Sequence, residues 1–305
     1  MTPDTPDWAK IDLVMVSVPA MLALLVLEML LARLRGTRSY EVKDTAASLM
    51  MGTGVPISIL LTGWIGAAAY LAVYNLRLFD IGWTWGGMSL CFLVTDLTYY
   101  WGHRLMHECR LGWASHVVHH SSQHFNISTA LRQEWTSNIS LIFLTGLPSA
   151  LIGFPPAMVA LASGVIGVYQ VWIHTEHVGK LGPFEWFMNT PSHHRVHHGT
   201  NPRYLDSNHG GFFIIWDRMF GTFVAERDDD PVHFGIVSNI GSFNPLRIVL
   251  HEWVAIGRDV AGARSPREVA GYILGPPGWS PDGSRDTSAT LRQKWREAGA
   301  AAPAE

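Results

Sequence analysis

Histidine is the residue whose number and spacing point to chemistry in this sequence. There are 15, and 13 fall in three windows, His103–His124, His174–His177 and His193–His209. The first window opens with His103-Arg-Leu-Met-His107. An i, i+4 spacing puts both imidazoles on one face of a helix. His116-Val-Val-His119-His120 follows, and His194, His197 and His198 repeat that pattern in the third window. His174-Thr-Glu-His177 lies between them. A single zinc or iron centre takes three or four such ligands, so this supply implies two metals. A lone HxxxH pair is usually an accident of helix composition. A zinc-buffering loop would show low-complexity repeats. Two HxxHH boxes beside an HxxxH box, in aromatic-rich sequence, are read instead as a dimetal site.

The elements that must position these boxes are mostly apolar helices. Leu13–Ala32 is apolar apart from Glu28 and long enough to cross a bilayer core of about 30 Å. It is read as a retained span, since no basic segment precedes it and no small-residue cleavage site follows. Ala46–Tyr74 carries no charge, and Pro56 with several glycines can kink or tilt it. Ile81–Trp101 is a third expected span, with aromatic residues at both ends. Thr136–Ile173 is also uncharged, and as one helix it would run about 57 Å. Gly153-Phe154-Pro155-Pro156 interrupts it, so two antiparallel helices are expected there.

The expected fold is therefore an all-α integral membrane protein with four to five transmembrane helices in two hairpins. Residues 1–173 form the bundle, with the first two boxes at 103–120. Residues 174–275 form a cytosolic helical cap holding the third box, and 276–305 a loop and tail, all within one functional domain. Arg33, Arg35, Arg38 and Lys43 follow the first span, whereas the loop at 75–80 has only Arg77. The positive-inside rule then turns all three histidine windows to the cytoplasm.

Composition narrows the alternatives. Only 15% of residues are charged and 48% are apolar, which excludes intrinsic disorder. A net charge of -3 gives no footprint for nucleic acid. Cys91 and Cys109 are too few for a disulfide framework, an iron–sulfur cluster or a four-cysteine zinc site.

The boxes resemble those of the membrane fatty acid hydroxylase and sterol desaturase superfamily, from about Asp96 to Phe223. Asp96-Leu-Thr-Tyr-Tyr-Trp-Gly-His103-Arg carries the likeness, as do Thr190-Pro-Ser-His-His-Arg-Val-His-His-Gly199 and Gly210-Gly-Phe-Phe-Ile-Ile-Trp-Asp-Arg-Met-Phe-Gly-Thr-Phe223. Ser128-Thr-Ala-Leu-Arg-Gln133, Ile173-His-Thr-Glu176 and Gly275-Pro-Pro-Gly-Trp279 look most like the alkylglycerol monooxygenase branch. The resemblance implies a di-iron enzyme that uses O2 to hydroxylate or desaturate lipid C–H bonds, with zinc able to replace iron in a recombinant sample. Position by position, it makes His103, His107, His116, His119, His120, His194, His197 and His198 the box ligands, and His174 a further one.

His177 and His193 are additional candidates. Related hydroxylases have a second histidine near the first of these positions, and His193 is i, i+4 to His197. His193 could equally be an outer hydrogen-bond partner. His124 lacks a repeated partner, and His209 stands where the family has tyrosine, so both are left outside the set.

Metal-bound imidazoles usually donate their other N–H to a carboxylate or carbonyl. Asp96 is two turns before His103, and a charge inside an apolar helix suggests a function. Asp96, Glu176, Asp206 and Asn208 are therefore expected behind the ligands. Arg132 and Glu134 are candidates for a lipid headgroup or a salt bridge, and Tyr100, Tyr169 and Trp172 for a lipid pocket. The expected partners are a membrane lipid and an external reductant, either tetrahydrobiopterin, which the alkylglycerol branch uses, or a redox protein. No Gly-rich dinucleotide fingerprint, cysteine set or His-Pro-Gly-Gly stretch is present. A membrane metal-binding or transport protein is the competing class, but transport would place ionisable groups deep in several spans.

Overall fold

The computed structural model describes residues 5–7 and 11–301. Of the expected regions, residues 1–4, 8–10 and 302–305 lie outside these. Among the described residues the chain is helical, with isolated bridges such as Met188 to Phe213 in place of strands.

Helix α1 (Leu13–Arg35) starts where the Asp12 side chain accepts from Met15 N, and stops at Gly36, whose φ of 66° suits a residue without Cβ. Helix α2 (Val42–Tyr74) runs unbroken through Pro56 for 33 residues. Helix α3 (Trp85–Glu108) carries the first box in its last turns, and α4 (Arg110–His120) turns back with the second. Gly112 permits this sharp elbow, since a Cβ there would lie 2.7 Å from Met106 Cα. Short α5 (Ile127–Ala130) is closed by a capping box between Asn126 and Thr129.

Among the described residues three helices are long and apolar enough to cross a membrane: α1, α2 and α7 (Pro156–Ile173). Helix α3 has the length of the third expected span but is more polar. The chain turns at Gly153–Pro155, where the sequence is interrupted, yet two full antiparallel limbs are not formed. The first limb is a 3-10 turn at Ile142–Gly146 followed by α6 (Leu147–Ile152). At helical rise it is about 17 Å long, half of what a crossing needs. Polar residues before it are tied along α2 instead. Ser58 Oγ donates to Trp135 O at 2.5 Å, and Trp135 Nε1 to Met51 O at 2.8 Å. Helix α6 then packs on α2, whereas α7 packs on α3 and α1.

The region after α7 contains α8 (Pro191–His197), α9 (Ile215–Phe220), α10 (Pro245–Ala261), α11 (Pro266–Leu274) and α12 (Ser288–Ala301). The segment expected as loop and tail thus contains a helix. Arg292 of α12 holds it to the body by donating to Leu205 O at 2.6 Å.

Two buried charges join these parts. Glu28 of α1 accepts from Tyr40, Thr175 and, at 2.7 Å, Ile127 N, so it fixes both α5 and the chain after α7. Arg132, a candidate for a headgroup or a salt bridge, is 1% exposed and forms the salt bridge, with Asp44, bracing α4 against α2. It donates to Val118 O, Ser121 Oγ, Ser48 Oγ and the Asp44 carboxylate at 3.0–3.2 Å. Removing one member of such a buried pair costs about 3–5 kcal/mol.

Candidate metal centre

Nine buried histidines converge in two groups. His103, His107, His116, His120 and His197 form the first, and His119, His174, His194 and His198 the second. Ligand atoms within each group lie within 4.8 Å of one another. The helices divide each HxxHH box between the groups. In α4 the i, i+4 pair His116 and His120 enters the first group, and His119 turns to the second. In the third box the pair His194 and His198 enters the second group, and His197 crosses to the first. His174 reaches the second group from the C-terminal cap of α7.

The hydrogen bonds behind the rings fix which nitrogen carries the proton. His103 Nδ1 donates to His209 O at 2.8 Å, and His197 Nδ1 to Ser207 O at 2.9 Å. His119 Nδ1 donates to Arg132 O at 3.2 Å, and His174 Nδ1 to Gln170 O at 2.7 Å. A carbonyl only accepts, so each Nε2 in a neutral ring keeps a lone pair. Yet His174 and His119 bring their Nε2 atoms to 3.2 Å. Lone pairs facing at that distance repel unless a cation lies between them. The Nε2 atoms of His103 and His116 also approach closely, to 2.9 Å. The buried Nε2 atoms of His107, His197 and His198 have no protein partner. Burial holds His116 and His119 neutral, their pKa values lowered to about 3. This donor set fits two cations, and all-nitrogen coordination suits ferrous iron or zinc.

The carboxylate behind His116 is Glu134, to which its Nδ1 donates. Burial pushes the Glu134 carboxyl up to about 7. From the sequence Glu134 is a headgroup or salt-bridge candidate, and its partner is the His116 ring. Asp206 stands 3.5 Å from His107 Nδ1 and has a positive φ of 48°. The other expected partners lie elsewhere. Asp96 accepts from Phe212 N, Phe213 N and Trp216 Nε1 at 2.7–3.1 Å, which pins the chain beyond His209 and not an imidazole. Asn208 bonds His193 O and Val224 O. Glu176 is exposed and, with His177, lines a separate polar pocket of about 570 Å³. His193 faces Glu185 at 4.0 Å, outside both groups. His209 places its ring 5.0 Å from that of His107, although it belongs to neither group.

A cavity of about 360 Å³ reaches the first group at His107, His120 and His197, and touches His198 of the second. Trp113, Asp206 and His251 also line it. None of Tyr100, Tyr169, Trp172 and Arg132 does. Tyr100 is fully buried, its hydroxyl 2.9 Å from Thr222 Oγ1. Tyr169 donates to Asn189 O and packs its ring against Trp172. These groups brace the loop around the third box.

Comparison with known proteins agrees with the boxes. Residues 88–222 match the sequence profile of the family described as fatty acid hydroxylase. An alkylglycerol monooxygenase of Danio rerio is 38% identical over 292 residues, covering 92% of this chain and 64% of the relative. That of Homo sapiens is 36% identical over 282 residues, covering 91% and 61%. An ornithine lipid hydroxylase of Rhizobium tropici is 26% identical over 203 residues, covering 65% and 61%. The chain thus spans about three-fifths of the length of these curated relatives. No solved structure matches it. Residues 88–222, which enclose all three boxes, are thus similar to the fatty acid hydroxylase family.

Proposed function

We propose that this protein is an O2-dependent lipid oxidoreductase of the di-iron type, which hydroxylates a C–H bond of an alkyl ether lipid. The observation that carries this reading is the convergence of nine buried imidazoles in two groups whose Nε2 atoms approach closely. The alkylglycerol monooxygenase relatives direct the substrate toward ether lipids. His103, His107, His116, His120 and His197 would hold one iron, and His119, His174, His194 and His198 the other. When bound, the pair supplies electrons and open coordination positions for O2.

The chain's own residues do the rest. Carbonyls of Ser207, His209, Arg132 and Gln170, with Glu134, lock the ring tautomers and orientations. Phe125 stacks on His174 at 5.5 Å and walls the second group from water. The cavity at His107 and His120 gives access from one side. A lipid substrate and an outside reductant, tetrahydrobiopterin or a redox protein, complete the reaction. The boxes face the cytoplasm, on the side of Arg33, Arg35, Arg38 and Lys43.

The test is metal analysis and turnover of the purified chain in nanodiscs. Roughly two iron ions per chain are expected. An alkylglycerol supplied with O2 and either reductant should gain one oxygen by mass spectrometry. A chain that takes up no iron overturns the proposal. So does an iron-loaded chain that leaves alkylglycerols intact, or that removes two hydrogens from a lipid instead.

A further inference from the structure

Helix α10 shows two opposed faces. Ile248, Val249 and Ile256 are buried, the first two against Ala47 and Met51 of α2 and Val118 of α4. On the other side Leu246, Leu250 and Val254 are 61%, 46% and 46% exposed. Their i, i+4, i+8 spacing makes one stripe along a helix about 26 Å long. Arg247 and Arg258 flank the stripe, exposed and without an ion pair among the described residues. Asn244 caps the helix start, its side chain accepting from Leu246 N and Arg247 N at 3.0 and 3.3 Å.

Helix α10 packs beside a helix that is apolar enough to cross a membrane. No residue in the most apolar stretch of α2 is buried, and Ile57, Leu60 and Leu61 are exposed there. Helix α10 meets α2 at Met51, about 9 Å of helix before Ile57. An apolar stripe with arginines at its border, beside a spanning helix, is the pattern of a helix lying in a membrane surface. The arginines select the lipid, since juxtamembrane cations are drawn to anionic headgroups.

We propose that α10 lies in the surface of an anionic leaflet, its Leu246, Leu250 and Val254 among acyl chains and Arg247 and Arg258 on lipid phosphates. On a further face α10 turns His251 and Glu252 into the cavity at the first histidine group. Docked in this way, one helix diameter, about 10 Å, separates the leaflet from that cavity.

The test is site-directed spin labelling of the full chain in nanodiscs. Leu246→Cys, Leu250→Cys and Val254→Cys are made singly in a Cys109→Ser background, Cys91 being fully buried. Collisions with O2 and with a water-soluble nickel chelate are compared with those of Asp229→Cys in an exposed loop. All three stripe labels should favour O2 several-fold, and more strongly when phosphatidylglycerol is added to phosphatidylcholine. Arg247→Glu with Arg258→Glu should erase that lipid dependence. Nickel access equal to position 229 overturns the proposal. So does dipolar broadening between chains at these positions, which would show that a second copy covers the stripe. The readout does not require activity or bound metal.

Discussion

The two histidine groups differ in what stands behind the rings and in what can reach them. The first has five imidazoles, Glu134 behind His116, Asp206 near His107, and a cavity open to three of its rings. The second has four, and the ring bonds resolved behind it go to the carbonyls of Arg132 and Gln170. Phe125 closes the second group, its ring 5.1–6.1 Å from those of His174, His194 and His198. A carboxylate raises the basicity of the imidazole it holds, whereas a carbonyl mainly orients it. The first position is therefore the more open of the two, since the cavity reaches three of its rings and only His198 of the second.

The largest test of that contrast is ligand removal. His194→Ala leaves three imidazoles in the second group, and His120→Ala leaves four in the first. Both variants should lose turnover. The first should also lose the second iron, and the second should keep its iron at reduced affinity, as iron analysis after gel filtration would show. Equal metal loss would remove the distinction. Phe125→Ala comes next. It deletes a fully buried ring at a cost of about 3–5 kcal/mol, and it opens the second group to water. A chelator should then strip both irons at similar rates, whereas in the parent chain the first group empties sooner. Glu134→Gln is smaller, since losing an outer partner weakens metal binding about 10–100-fold. That loss should fall on one iron of the two in a titration. Two equally weakened sites would show that Glu134 serves both groups.

Much of this centre was legible in the sequence, and its division was not. HxxxH and HxxHH follow from helical periodicity, so convergence on a shared face could be read from spacing. Which imidazole serves which metal depends on how α4 and α8 meet, and that contact lies between residues far apart in the chain. Asp96 illustrates the same limit. Its position seven residues before His103 places it on the right helix face, but its acceptors are occupied by backbone N–H groups more than a hundred residues later. Arg132 is likewise claimed by Asp44 and Ser48. The carbonyls of Ser207 and His209 left no trace at all, because every residue has one. Hydropathy marked α1, α2 and α7, yet it could not show that the segment before Gly153 runs along α2 as an irregular limb.

The pH dependence of the metal-free chain offers a finer measure of the contrast. Burial lowers His116 and His119 to about 3, from an ordinary value of 6.5. Below about pH 6.5 the unfolded chain binds protons that these folded rings refuse, so stability falls with pH. Each such ring contributes up to about 1.4 kcal/mol per pH unit. Glu134 acts in the opposite sense. Raised to about 7 from 4.5, it keeps a proton in the folded state that the unfolded chain releases, so it adds stability as pH falls through that interval. Its hydrogen bond is to His116, while its charge acts on His119. Burial brings both rings to the same value, so neither the carboxylate nor the Arg132 carbonyl sets them apart. His116→Gln and His119→Gln should therefore each remove a similar part of the decline in melting temperature between pH 7 and 5.5, measured on chelator-treated protein. A variant whose decline stays as steep as in the parent chain would show that burial does not hold its ring neutral.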